Sequence, residues 1–327
     1  MGGTLSQSDA TAWMAMYALN LTRISIELAL IDPVYQDMAV KFFEHFLYIA
    51  EAAAKHGGLW DEQDSFFYDR LELPDGQKIP IRARTIVGLI PLFAVEVLRQ
   101  FDQPRLPEMV ARMRWFVNHR PDLGALVSNW EVPGVHHIAL LSMLRGHRMK
   151  CLLRRMLDES EFLSAYGVRS VSKAHEAEPY VFAWGGQEFT LPYWPAESHS
   201  GVFGGNSNWR GPIWVQMNYL FIDSLRRFHS YYGDDFLVEC PVGSGTMLTL
   251  SQIADELARR VTRLFLKDAE GRRPIHGDCA LTQDDPHFRD LPLFYEYFDG
   301  DTGRGLGAAH QTGWTGLVAL LIAETAR

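Results

Sequence analysis

Residues 10–31, ATAWMAMYALNLTRISIELALI, decide the fold class. The run holds no Gly or Pro, and Trp13, Met16, Tyr17, Ile24 and Leu28 recur at helical spacing. Asp32-Pro33 follows, an N-cap residue and then the residue best suited to a first helical position. A second helix is expected over 33–56, stopped by Gly57-Gly58. Two long helices joined by one tight corner predict an antiparallel helix pair.

Outward from this pair, Leu59-Trp60-Asp61 and residues 65–73 lead to Pro74-Asp75-Gly76, a turn, with 78–82 as the returning arm of a small β-hairpin. Further helices are expected at 85–100, 107–119, 146–157, 212–232, 248–267 and 312–326. Residues 164–208 are rich in Gly, Pro, Trp and Tyr with few helical periods, and an irregular stretch this long inside a domain is usually functional. Residues 268–310 are again loop-like. No linker, low-complexity segment or internal repeat separates parts of the chain, so 1–327 reads as a single all-α domain with a small hairpin. Long loops between paired helices resemble an α/α toroid, whose loops build a pocket at one end.

The composition bounds the function. The 327 residues carry 31 Lys+Arg against 40 Asp+Glu, a net charge of −9, and 47% are hydrophobic. Disordered chains are less apolar, and nucleic-acid binders present a basic surface. Cys151, Cys240 and Cys279 are too few and too far apart for a disulfide framework or a zinc site. The N-terminus lacks the basic and apolar stretches of a signal peptide, and the longest apolar run, 85–98, is too short to span a bilayer and contains Pro91 and Glu96. The expectation is a cytoplasmic protein with no membrane or nucleic-acid partner and no cofactor.

Three clusters could carry chemistry. In Gly204-Gly205-Asn206-Ser207-Asn208-Trp209-Arg210-Gly211-Pro212-Ile213-Trp214 a glycine-rich loop enters a helix; Trp209 and Trp214 offer stacking faces and Arg210 directional donors. Alternatively the tryptophans are core and Arg210 pairs with an acid. In Phe294-Tyr295-Glu296-Tyr297-Phe298 a carboxylate has two aromatic residues on each side, and an apolar setting raises proton affinity, as catalytic acids and bases require. An exposed Glu with buried neighbours is the alternative. In Gln7-Ser8-Asp9-Ala10-Thr11-Ala12-Trp13, Asp9 stands where an N-cap is expected. Trp60, Asp61 and Asp69 line a polar cleft or serve as turn residues. His136-His137 and the distant His310 lack the spacing of a helical metal pair.

The run Asn208-Trp209-Arg210-Gly211-Pro212-Ile213-Trp214, continued by Met217-Asn218-Tyr219, resembles the W-R-G-P-I-W-x-x-x-N-Y signature of glycoside hydrolase family 63, which includes processing α-glucosidases and mannosylglycerate hydrolases. Glu296 among its aromatics, then Thr302-Gly303 and Thr312-Gly313-Trp314-Thr315, is similar to that family's general-base segment. Asp9 resembles its substrate-contacting Asp, and Trp60-Asp61 through Asp69 matches in order. The resemblance implies an (α/α)6 barrel of the six-hairpin glycosidase kind and inverting hydrolysis of an α-glycosidic bond in a glucoside, mannoside or small glycoconjugate. Glu296 would be the general base. Trp209, Arg210, Gly211, Trp214 and Trp314 would shape the sugar subsite, with Asp9, Trp60 and Asp61 also contacting substrate.

The family's general acid lies in an E-S-G-x-D-like segment shortly before the Asp9 motif, and nothing here resembles it. About seven helices also fall short of the twelve of an (α/α)6 barrel. The expectation is the C-terminal portion of a longer enzyme, with unpartnered helix flanks near 13–28 and 317–322 able to self-associate. Two other readings are a sugar epimerase of the N-acylglucosamine 2-epimerase type, using His136, His137 and His310, and a carbohydrate-binding remnant without catalysis.

Overall fold

The computed structural model describes residues 3–99, 105–124, 134–135, 138–144, 146–201 and 212–326. The chain forms two compact units. The first comprises residues 1–82, 87–153 and 224–237; the second comprises 83–86, 154–223 and 238–327.

In the first unit, β1 (Thr4–Ser6) leads into α1 (Ser8–Ala29), and α2 (Gln36–Glu51) folds back against it. Asp32 caps the corner, its side chain accepting the Val34 N–H at 3.1 Å ahead of a 3-10 turn over Pro33–Tyr35. One wide π turn, Ala52–Gly57, ends the second helix at Gly58, whose φ of 52° is left-handed. A side chain there would also meet the end of the Arg70 side chain, which can move aside, so it is the left-handed backbone that calls for glycine. The facing sides of the helices bury Ala15, Leu19, Ile26, Phe43, Phe46 and Leu47. The outer side of α1 leaves Met14, Tyr17, Ile24 and Leu28 exposed.

Next come β2 (Trp60–Asp61), β3 (Phe66–Phe67), β4 (Asp69–Glu72) and β5 (Lys78–Ile81). The expected hairpin is β4–β5, closed by the Gly76 N–H on the Leu73 carbonyl; β1 adds a third strand on β4, pairing Leu5 with Leu71. The helix expected over 85–100 is absent. Short 3-10 turns, Ile86–Gly88 and Ile90–Phe93, give way to β6 (Val95–Arg99), antiparallel to β7 (Ile138–Ser142). Pro91 lacks a backbone donor, and β-branched Val95 and Val97 suit a strand. Between these strands lie α3 (Pro107–His119) and α4 (Pro121–Gly124); α5 (Gly146–Met156) follows.

In the second unit, β8 (Leu163–Ser164) pairs with β9 (Gly167–Val168), followed by α6 (Ala174–Ala177). The stretch read as irregular contains a regular hairpin, β10 (Tyr180–Trp184) and β11 (Gln187–Leu191), turning at Gly185-Gly186. Helix α7 (Val215–Tyr232) begins in this unit and ends in the first. After β12 (Leu237–Glu239) and β13 (Met247–Thr249), a reciprocal Thr249–Gln252 box opens α8 (Leu250–Arg263). A short α9 (Ala280–Asp284), β14 (Tyr297–Phe298), β15 (Gly305–Leu306) and α10 (Val318–Thr325), packed on α8, complete the order. Leu321 is buried and Leu320 exposed on α10.

The chain is therefore helix-rich, as expected, but the described residues carry seven small sheets rather than one hairpin. Six of these are two-stranded, and five of the six are short local hairpins; β6–β7, and β1–β4 in the three-stranded sheet, join segments far apart in sequence, which a local reading of periodicity does not reveal.

Candidate active site

Glu296 sits where the chain bends into β14, held at both ends by pairing. After it, Phe298 exchanges backbone hydrogen bonds with Ile213 at 2.6 and 2.9 Å and pairs with Gly305 across β15. Before it, Phe294 bridges to His310 and accepts the Gln311 N–H at 2.6 Å. The turn after β14 is fastened by Asp299, whose carboxylate accepts the N–H groups of Asp301 and Thr302 at 2.9 and 2.8 Å.

The Glu296 carboxylate is half-buried and accepts the Ala308 N–H at 3.2 Å. Beside it, Gly307 has φ 68°, and a Cβ there would lie 2.7 Å from the carboxylate oxygen. Glycine thus leaves the space that the carboxylate fills. Tyr297 continues the site: its ring lies 4.7 Å from Trp214, and Trp214 meets Trp314 edge-on at 6.1 Å. The Tyr297 hydroxyl donates to Glu197 at 3.3 Å.

Trp214 is 4% exposed. It stands one residue before α7, and the fully buried Asn218 holds it there. The Asn218 amide donates to the Trp214 carbonyl at 3.0 Å and closes a pair of bonds with the backbone of Val168. Trp214 therefore packs as the buried wall of an aromatic cluster, while Trp314 is only partly covered. Glu197 was not singled out from sequence; its only signal was its place in an aromatic-rich loop. Trp209, Arg210 and Gly211 lie outside the described residues, as do His136 and His137. His310 is exposed.

The first unit holds the other expected residues. Asp9 is not the N-cap of α1: that position is Gln7, and the Asp9 carboxylate accepts its neighbour's N–H, from Ala10 at 2.7 Å. The capping acceptor comes from β4 instead, where Asp69 takes the Ser8 N–H at 2.7 Å. Burial pushes the Asp69 carboxyl up to about 6, the Ser8 N–H opposing and the charge of Asp9 adding to the rise. Asp61 is engaged in a turn, accepting the N–H groups of Gln63 and Asp64 at 3.0 and 2.9 Å and pairing with Arg82 at 2.9 Å. Burial works against its ionisation, but these donors outweigh it and hold the carboxyl below the usual range. Trp60 packs edge-on against Phe67 at 4.9 Å, and the Arg148 guanidinium lies 4.9 Å from its ring centre.

The Asp69 value carries a stability consequence. The unfolded carboxyl ionises near 3.9, so between about pH 4 and 6 the native state holds more protons than the unfolded one. The contribution of this group is greatest below pH 4 and declines as pH rises through 6, by on the order of 2–3 kcal/mol. Asp69→Asn keeps the acceptor for Ser8 without the buried charge. Urea unfolding at pH 4.5 and 7 should show the variant gaining on the wild type at the higher pH; an equal difference at both would count against it.

Among the described residues no group of three or more His, Cys, Asp or Glu could hold a metal ion, and no helix is long and apolar enough to cross a membrane.

A carboxylate set beside aromatic rings is suited to acid–base chemistry on a sugar. A family model described as the mannosylglycerate hydrolase MGH1-like glycoside hydrolase domain matches residues 136–315. The chain belongs to this glycoside hydrolase family, and the resemblance to family 63 is borne out. It is 46% identical to the Saccharomyces cerevisiae protein YMR196W over 341 residues, covering 99% of this chain and 31% of that one. A probable mannosyl-oligosaccharide glucosidase of Schizosaccharomyces pombe is 28% identical over 195 residues, covering 58% of this chain and 18% of its own. A solved structure, the Thermus thermophilus GH63 mannosylglycerate hydrolase in complex with glucose, aligns at 16% identity over 98% of this chain and 48% of its own, with a TM-score of 0.41. The chain spans less than a third of the length of these curated relatives. Family membership sets aside the epimerase reading.

Proposed function

We propose that the protein hydrolyses an α-glycosidic bond in a glucoside, mannoside or small glycoconjugate with inversion at the anomeric carbon, Glu296 acting as general base. The observation that carries this reading is the placement of Glu296, half-buried beside the Trp214, Tyr297 and Trp314 cluster in a chain of a glycoside hydrolase family. Relatives named for glucosidase activity support the substrate class.

In an inverting hydrolase one carboxyl protonates the leaving oxygen while the other activates water on the opposite face, roughly 6.5–9.5 Å away. Glu296 takes the second role, its Ala308 contact fixing one carboxylate oxygen and leaving the other to orient water. Trp209, Arg210, Gly211, Trp214 and Trp314 form the sugar subsite in this reading, and Asp9 takes substrate hydroxyls. The acid belongs to the family segment that precedes the Asp9 motif. The chain is then part of an (α/α)6 toroid domain.

Proton NMR of α-glucosides and α-mannosides incubated with the protein tests the reaction directly. The first sugar released should be the β-anomer, mutarotating only later. Initial release of the α-anomer would refute inversion, and sugar binding without turnover would favour the carbohydrate-binding alternative.

A further inference from the structure

The first unit contains a cavity of about 540 Å³, at a distance in the chain from Glu296 and lined in part by Trp60, which the family resemblance places at the substrate. Its size is ordinary for a small-molecule site. Its most buried lining comes from Ala50 at the end of α2, Ala53 in the π turn that follows, and Phe67 on β3; Met143 adds a thioether. None of these side chains can hydrogen-bond a hydroxyl, so this part of the cavity suits an apolar body.

The remaining lining includes Trp60 and the polar side chains of Glu62, His147 and Arg148. The Glu62 side chain is 80% exposed and that of Arg148 40%. Arg148 lies over the Trp60 ring and donates to Glu62 at 3.0 Å. The Arg148 guanidinium is thus already paired with one carboxylate, the protein's own, at the end of an exposed side chain. Arg148 also takes one face of Trp60.

We infer that this cavity binds a small carboxylic acid with an apolar body, the carboxylate exchanging with Glu62 on Arg148 and the body resting on Ala50, Ala53, Phe67 and Met143. The guanidinium is a strong carboxylate donor, more so where an aromatic face limits its hydration. The site thus selects for one negative charge next to apolar surface.

Phenylacetate and phenylacetamide, which differ in charge and scarcely in shape, are the probes. Binding is followed through the Trp60 indole proton–nitrogen resonance, with methyl α-D-glucopyranoside as the neutral sugar. Phenylacetate should bind about tenfold or more tightly than phenylacetamide. Glu62→Gln, an exposed change that leaves the fold in place, should tighten phenylacetate severalfold by removing its competitor. Arg148→Gln should erase the preference for the acid over the amide. Equal binding of acid and amide, weaker phenylacetate binding in Glu62→Gln, no binding of either probe, or a Trp60 shift produced by the glucoside alone would each overturn the assignment.

Discussion

Replacing Glu296 by Gln is expected to lower turnover by about 10²–10⁴-fold while leaving substrate affinity nearly unchanged. The amide keeps the shape of the side chain, and its oxygen can still accept the Ala308 N–H at the position the carboxylate occupies. It cannot take a proton from water. The loss should therefore fall on kcat, with KM close to that of the wild type. Steady-state kinetics on an α-glycoside, with binding measured separately by calorimetry, divides the two. A variant with full kcat would remove Glu296 from the mechanism, whatever its effect on affinity.

The second large effect concerns the support beneath that carboxylate. Phe298 is fully buried, its ring 5.7 Å from Phe265 and 6.5 Å from Tyr295, and its backbone fastens β14 to Ile213. Phe298→Ala removes a large side chain from a closed environment, and such changes cost about 3–5 kcal/mol. Urea unfolding should show a loss of that size. Phe298→Leu, which refills most of the volume, should recover much of it. A loss below about 1 kcal/mol for the alanine variant would mean that the segment relaxes around the cavity and that Glu296 is less firmly held than its pairing implies.

Local chemistry made part of this architecture legible in advance. Residues 10–31 read as a helix because nothing in them breaks one, and Asp32-Pro33 marked the corner before α2. Pro107 announced α3, and Pro74-Asp75-Gly76 the turn between β4 and β5. The reading failed where the partner is distant. Residues 95–99 carry enough apolar character for a helix, but their strand pairing is with 138–142. The helix cap supplied by Asp69 depends on a residue 61 positions from Ser8. The β10–β11 hairpin was missed for a different reason: Gly185-Gly186 between alternating segments is a turn signal, and the density of Gly, Pro and aromatics around it concealed the alternation.

The site divides in the same way. Glu296 stood out because aromatic residues flank it in the chain itself. Glu197 is 100 positions away from Tyr297 and reaches it only through the fold. Asn218 was visible as a motif position, but its task of fixing Trp214 and Val168 follows only from its complete burial.

The interleaving of the two units bears on how such a chain can be inherited. The first unit is assembled from residues 1–82, 87–153 and 224–237, with segments of the second between them. No contiguous stretch of the gene encodes one unit and nothing of the other. Exchanging a unit between two diverged genes would take five crossovers, at the joints after residues 82, 86, 153, 223 and 237. A single recombination event instead joins halves of cores that have drifted apart, and close-packed interiors tolerate that poorly. The two units are therefore bound to descend together, and the Glu296 segment with the helix pair of residues 8–51.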